Sequence, residues 1–331
     1  NCHMATRLLT LSLCACYLLL NGVCFGFTEP VTVAYPNKTD TTVEQLKIDN
    51  LFVYLDSGKV QTAEEFDAAM LEIASLLKAD DTARQARYLR FQCRQFDPQQ
   101  QGQTQQAIKF ASEALAKPFM INYPQDRLDL MLCQSWYTER DGDFELALEG
   151  YSTVVKLATE LQLQLIIADA RATRGELLRY QGHFSQGLED LITARALYSQ
   201  LQRPVAAESL LVGIATLFRQ LGDYENALKY YLQIEAKHIK NQELDYLNYI
   251  QVMIGIAEEE LGNLDEALNR FLQAYLYWQT QNKLENRAEV AVNLASVLIK
   301  MQDIPQAMSY LEEAEQYITA EHFAVYSFME L

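Results

Sequence analysis

The chain has 331 residues and a formal net charge of -17, from 27 Lys+Arg against 44 Asp+Glu. Hydrophobic residues make up 50% and aromatics 11%, enough to bury a core, which excludes a disordered chain. With 13 Gly and 7 Pro it lacks the turn formers of a sandwich or barrel of many short strands. The acidic balance repels phosphate backbones and no Lys/Arg block offsets it, so nucleic acid is excluded as a partner class.

Residues 1–26 read as a secretory signal peptide. Arg7 precedes the apolar run 8–20, and a looser tail with small residues leads to Gly26, where cleavage is expected. The alternative is an uncleaved anchor, but the run is short of the ~20 apolar residues that a span needs. A lipoprotein reading on Cys24 is weaker, because bulky Val23 stands where a small residue is required. The expected location is therefore the periplasm, either free or as the periplasmic part of an inner-membrane protein.

Residues 27–40 form an extended leader, in which Asn37-Lys38-Thr39 matches the glycosylation acceptor pattern. Residues 41–87 predict a degenerate helical cap with helices over 41–55 and 62–77. Thr62 and Glu65 are spaced as a capping box.

A forty-residue beat runs from 88 to 327. Gly102, Gly142, Gly182, Gly222 and Gly262 carry it, and Gln302 takes the next place. Five residues after each come Ala107, Ala147, Gly187, Ala227, Ala267 and Ala307, all small. Offsets two, six, nine and twelve are mostly apolar, so an amphipathic helix follows every beat. Each Gly ends the preceding helix in a left-handed turn, and Asp143, Asp223, Asn263 and Asp303 are placed to cap the next one. The small residue at offset five marks the closest approach of two helices.

These residues resemble the tetratricopeptide repeat. The nearest copies are residues 222–231, from Gly222-Asp223-Tyr224 through Ala227-Leu228 to Tyr231, and 262–268, from Gly262-Asn263-Leu264 to Ala267-Leu268. Gly175 and Gly255 match the family's small first-helix position, with Ser135, Ala215 and Ala295 standing in elsewhere. The expected fold is all-α, a tetratricopeptide-like α-solenoid of helix pairs with a 40-residue period. The family's usual period is 34, so helices or linkers here are longer. Residues 328–331 read as the start of a further helix.

The resemblance implies a concave groove lined by first-helix positions thirteen, ten, six, three and two before each beat. These select Asp129, Leu132, Trp136, Glu139 and Arg140, then Asp169, Ala172, Glu176, Arg179 and Tyr180. The next two units contribute Ser209, Val212, Thr216, Arg219 and Gln220, then Tyr249, Val252, Ile256, Glu259 and Glu260. Trp136, Arg179, Tyr180 and Arg219 are residue types that carry interface energy, suited to a protein or peptide partner. The competing reading makes Trp136 core and pairs the arginines with neighbouring acids. The Lys/Asn pattern by which some family members hold a partner's terminal carboxylate is missing.

Cys93 and Cys133 remain after signal removal, and an oxidising compartment favours pairing them. Their forty-residue spacing places them on neighbouring first helices, whose axes lie ~8–10 Å apart, so no disulfide is expected.

Chemistry is sparse. His3, His183, His238 and His322 are scattered, and no metal-ligand spacing, nucleophile elbow or phosphate-binding loop occurs. No enzyme activity, metal or cofactor is expected of this chain. Signal, leader and acidic array together resemble the periplasmic sensor half of membrane-bound GGDEF diguanylate cyclases, which implies a cyclase beyond this chain. A stand-alone periplasmic scaffold or adaptor is the alternative; a cytoplasmic peptide-sensing regulator is disfavoured by the signal. Phe323, Tyr326, Phe328 and Leu331 stand where a polar capping helix would close an array, so a longer protein is expected.

Overall fold

The computed structural model describes residues 41–56 and 62–317. The signal peptide, the leader with Asn37 and everything past 317 lie outside them. Two compact units divide between Leu210 and Leu211. Among the described residues the regular elements are all helices, stacked in each unit as the antiparallel pairs of an α-solenoid.

The first unit holds α1 (Val43–Asp56), α2 (Ala63–Leu76), α3 (Thr82–Gln92), α4 (Gln103–Leu115), α5 (Pro124–Arg140), α6 (Phe144–Glu160), α7 (Gln164–Tyr180), α8 (Phe184–Gln200) and α9 (Pro204–Ser209). The second holds α10 (Leu211–Gln220), α11 (Tyr224–Asn241), α12 (Leu244–Glu260), α13 (Leu264–Thr280), α14 (Leu284–Lys300) and α15 (Ile304–Tyr317). Thr62 Oγ1 accepts from the Glu65 amide at 3.1 Å, as its spacing predicts. A reciprocal box that the sequence reading passed over joins Thr42 and Gln45, at 3.0 and 3.2 Å.

The long period has a simple cause. Helices α5 to α8 and α12 to α14 are each 17 residues long, and three-residue turns join most of them. Every beat glycine has positive φ, from +78° to +95°. So do Gln162, Gln202, Gln242 and Asn282, halfway between beats, at +54° to +59°. From Gly142 onward each is followed by an amide bonded five residues back, such as Arg203 N–H to Tyr198 O at 2.8 Å and Asp143 N–H to Thr138 O at 3.2 Å. Gly102 follows a turn instead of a helix, and the next amide, of Gln103, bonds Gln100 O at 3.2 Å. From Gly142 onward both turns of a unit are thus one Schellman closure, repeated every twenty residues. The sequence reading found half of them, because glutamine carries no left-handed signal of its own.

Packing follows the expected offsets, with one correction. The offset-five residues and nearly all at nine and twelve are fully buried, including Ala147, Tyr151, Val154, Ala227, Tyr231 and Ile234. Offsets two and six are shallower, and Phe144, Ile304 and Met308 are exposed, because the helix face turns outward there. At α7 against α8 a β-carbon on Gly187 would sit 2.9 Å from the Gly175 carbonyl oxygen, so only glycine permits that approach.

Asn263 corrects a second expectation. Asp143, Asp223 and Asp303 do cap their helices, at 3.1, 3.1 and 3.3 Å. The Asn263 side chain instead donates to Glu258 Oε2 at 2.6 Å, a charged acceptor that holds it away from the helix start.

The third correction concerns the cysteines: Cys93 and Cys133 are disulfide-bonded, with Cα atoms 6.6 Å apart. Axis spacing was the wrong measure, since each Cα stands ~2.3 Å off its axis and facing positions approach more closely. Cys93 also lies in the 3₁₀ turn Cys93–Gln95 that ends α3, and is free of that helix's straight course. Both cysteines are buried in one cluster with Ala111, Met120 and Tyr137.

Candidate functional site on the first-helix face

In the first unit the face begins with a buried charge network. Arg90 is 1% exposed and donates to Asp129 at 2.6 Å and to both Asp56 carboxylate oxygens at 2.9–3.0 Å. Asp126 Oδ1 lies 3.6 Å from Arg90 Nε. Burial raises the Asp126 carboxyl above its ordinary range, against the lowering pull of Arg90 and Arg87. Asp129, selected from the sequence as a groove residue, is therefore the internal partner of an arginine. Arg90, Asp56 and Asp126 were missed because they come from three helices that share no period.

Asp169 holds the position of Asp129 in the next repeat. Its Oδ1 accepts from the Tyr198 hydroxyl at 2.5 Å. Burial lifts its pKa to about 7; the Tyr198 bond opposes this, Asp129 adds to it, and Arg94 and Arg203 oppose it.

Trp136 is half-buried, edge-on to Tyr137 at 4.9 Å, with the Arg140 guanidinium 4.7 Å above its ring. Glu139 accepts the Tyr151 hydroxyl at 2.6 Å, and burial raises its pKa despite that bond. Arg179 bridges to Glu176 at 2.8 Å and stacks over Tyr180 at 4.3 Å. Tyr180 keeps 43% of its surface exposed. The pairing with neighbouring acids thus holds for Arg179, while Trp136 is shared between core and surface.

In the second unit Tyr249 is 41% exposed, beside Tyr246 at 6.1 Å. Glu259 receives Ser296 Oγ at 2.7 Å and Lys300 Nζ at 3.0 Å. Arg219 is half-buried on α10, and its Nε finds no acceptor among the described residues. The predicted residues accordingly fall into two sets, Asp129 to Tyr180 in one unit and Arg219 with Tyr249 in the other.

Among the described residues, no group of three or more His, Cys, Asp and Glu is placed to hold a metal ion. No helix among them is long and apolar enough to cross a membrane. A hollow of about 270 Å³ in the first unit is lined by Gln125, Gln162, Gln164 and Arg203 among others, none of them a predicted site residue.

Residues 209–234 match the family model of the tetratricopeptide repeat. The photosystem I assembly protein Ycf3 of Synechococcus elongatus is 32% identical over 98 residues, covering 29% of this chain and 55% of that one. The chain thus spans about half the length of the curated relatives it matches. Among solved structures, a signal transduction ATPase with numerous domains and a tetratricopeptide repeat sensor, from Pyrococcus horikoshii, superposes with TM-score 0.61 at 11% identity. It covers 82% of this chain and 41% of that one. The apo form of RapI gives TM-score 0.52 at 13% identity over 83% of this chain and 97% of its own. Helix pairs on a repeating turn, small residues at the closest approach and these superpositions agree on the fold, a tetratricopeptide-like α-solenoid, and residues 209–234 are similar to the tetratricopeptide repeat itself.

Proposed function

We propose that this chain is a protein-interaction module that binds a peptide or protein segment on the first-helix face of its repeats. The observation that carries the reading is exposure: Tyr180 and Tyr249, both at positions the family uses for partners, keep 43% and 41% of their surface open. Half-exposed tyrosines offer large contact area at low entropic cost, the character of interface anchors. Affinity capture with the whole chain as bait tests this. Tyr180→Ala and Tyr249→Ala should each lower the yield of a bound partner several-fold while the far-ultraviolet circular dichroism stays unchanged. Equal capture by wild type and both variants overturns the reading.

The finer proposal is an exported sensor, the periplasmic part of a GGDEF-type diguanylate cyclase. The signal-like segment and the layout of leader and acidic array support it, and so does the Cys93–Cys133 disulfide, since such bonds persist in oxidising compartments. A fusion of residues 1–60 to an enzyme active only after export tests the location. An inactive fusion overturns it. The second reading, an adaptor that assembles other proteins, is favoured by the aligned segment of Ycf3, a protein named for photosystem I assembly.

A further inference from the structure

The hollow in the first unit lies at the edge where first helices begin, between the α6–α7 turn, the α8–α9 turn and the start of α5. Gln164, the first residue of α7, lines it, whereas Tyr180 ends the same helix ~24 Å further along. The hollow is therefore separate from the proposed partner face. Its volume of about 270 Å³ falls just below the ~300–1,000 Å³ of typical small-molecule sites.

Its lining divides by chemistry. Leu163, Leu201 and the buried Ile166 supply an apolar floor. Gln125, Gln162 and Gln164 place three carboxamides around it, and none of these side chains has a hydrogen-bond partner among the described residues. Arg203 is the one charged residue of the lining, and its side chain likewise makes no hydrogen bond or ion pair among them. Its Nη2 is sealed from solvent without an acceptor, but Nε and Nη1 are not sealed, so the open part of the guanidinium borders the hollow. Asp169 feels the Arg203 charge yet makes no ion pair with it, being held by the Tyr198 hydroxyl. The start of α7 adds potential of the same sign, because its N-cap Leu163 has no side-chain oxygen to cap it.

A cation with spare donors, three amides able to donate and no acid on the wall suit an anion, and the leucine floor requires that the anion carry hydrocarbon. We propose that this hollow binds a small monocarboxylate. Its carboxylate is taken by Arg203 and the glutamine amides, and its short apolar body lies over Leu163 and Leu201. At ~30 Å³ per liquid water the hollow has room for about nine waters, the size of a six-carbon acid. Inorganic phosphate would leave the floor uncovered, and an amine would meet Arg203 with no acid to hold it. The chain's charge of -17 repels anions in general, so capture depends on this local cation.

Hexanoate titrated into the whole chain at constant ionic strength is the test, followed by calorimetry and by the nitrogen-15 amide signals of Leu163, Leu165 and Leu201. Heat and signals should saturate together. Hexanamide, with the same body and no charge, should bind about tenfold more weakly, and so should acetate, which lacks the body. Arg203→Gln should raise the half-saturation concentration about tenfold. Gln164→Glu puts an acid on the wall at an exposed helix start, a place that favours it, and should raise that concentration several-fold without lowering the melting temperature. Tyr180→Ala should leave it unchanged, which separates this site from the partner face. No saturable binding overturns the proposal, as does equal binding of hexanamide, binding that neither hollow variant weakens, or saturating shifts confined to other residues.

Discussion

Arg90 on α3 and Asp129 on α5 face each other across a 2.6 Å charge-assisted hydrogen bond, and neither is more than 5% exposed. Asp56 from α1 completes the clasp, so one guanidinium ties three helices together. Burial works against the Arg90 charge, but Asp56, Asp129 and Asp126 more than offset it and hold it protonated. Arg90→Met leaves these carboxylates buried without their cation. It should cost about 3–5 kcal/mol at pH 7, read as a lower urea midpoint. A loss below 1 kcal/mol shows that the network contributes little.

Asp169 makes stability depend on pH in a defined direction. Its pKa in the fold is about 7, raised mainly by burial, so the native state keeps a proton that the unfolded chain releases near 3.8. The stability it contributes is complete below its unfolded value and is lost as pH rises toward 7, at up to ~1.4 kcal/mol per pH unit. Asp169→Asn cannot ionise and its side-chain oxygen can still accept from Tyr198. The stability of wild type relative to this variant should therefore fall between pH 4.5 and 7.5, measured by urea unfolding at several pH values. A constant difference contradicts the raised pKa.

The disulfide closes a forty-residue separation between Cys93 and Cys133. Protein prepared without reductant should have a mass two hydrogens lighter than the reduced chain. Cys133→Ser should destabilise it by about 3 kcal/mol, from loss of the constraint on the unfolded state and of a buried packing position. An unchanged melting curve on reduction means that the bridge is not formed in solution.

Gly255 on α12 lies against the ring of Phe271, and a β-carbon there would sit 2.5 Å from its Cε1. The ring is fully buried and cannot withdraw. Gly255→Ala should destabilise the second unit by about 1–3 kcal/mol through overpacking, whereas Ala215→Gly, at the equivalent place in the preceding repeat, should cost about 1 kcal/mol through helix propensity alone. Differential hydrogen exchange of α12 and α13 would show where the damage falls.

The sequence by itself determined the architecture. Six copies of a small residue five places after a forty-residue beat can only be explained by one helix-pair contact made repeatedly, and that contact is local and periodic. Caps at Asp143 and Asp223 were legible for the same reason, since donor and acceptor lie three residues apart. Tertiary structure alone decided what the face residues do. Asp129 is an internal ion-pair partner because Arg90 lies 39 residues away on a helix that it meets only in the fold. Glu139 is satisfied by Tyr151, twelve residues further on across a turn. Cys93 reaches Cys133 from the 3₁₀ turn that follows α3, a local geometry that the forty-residue spacing does not contain. Period and composition report what each residue must do in common with its repeats; partners across helices depend on sub-ångström placement, which no spacing rule contains.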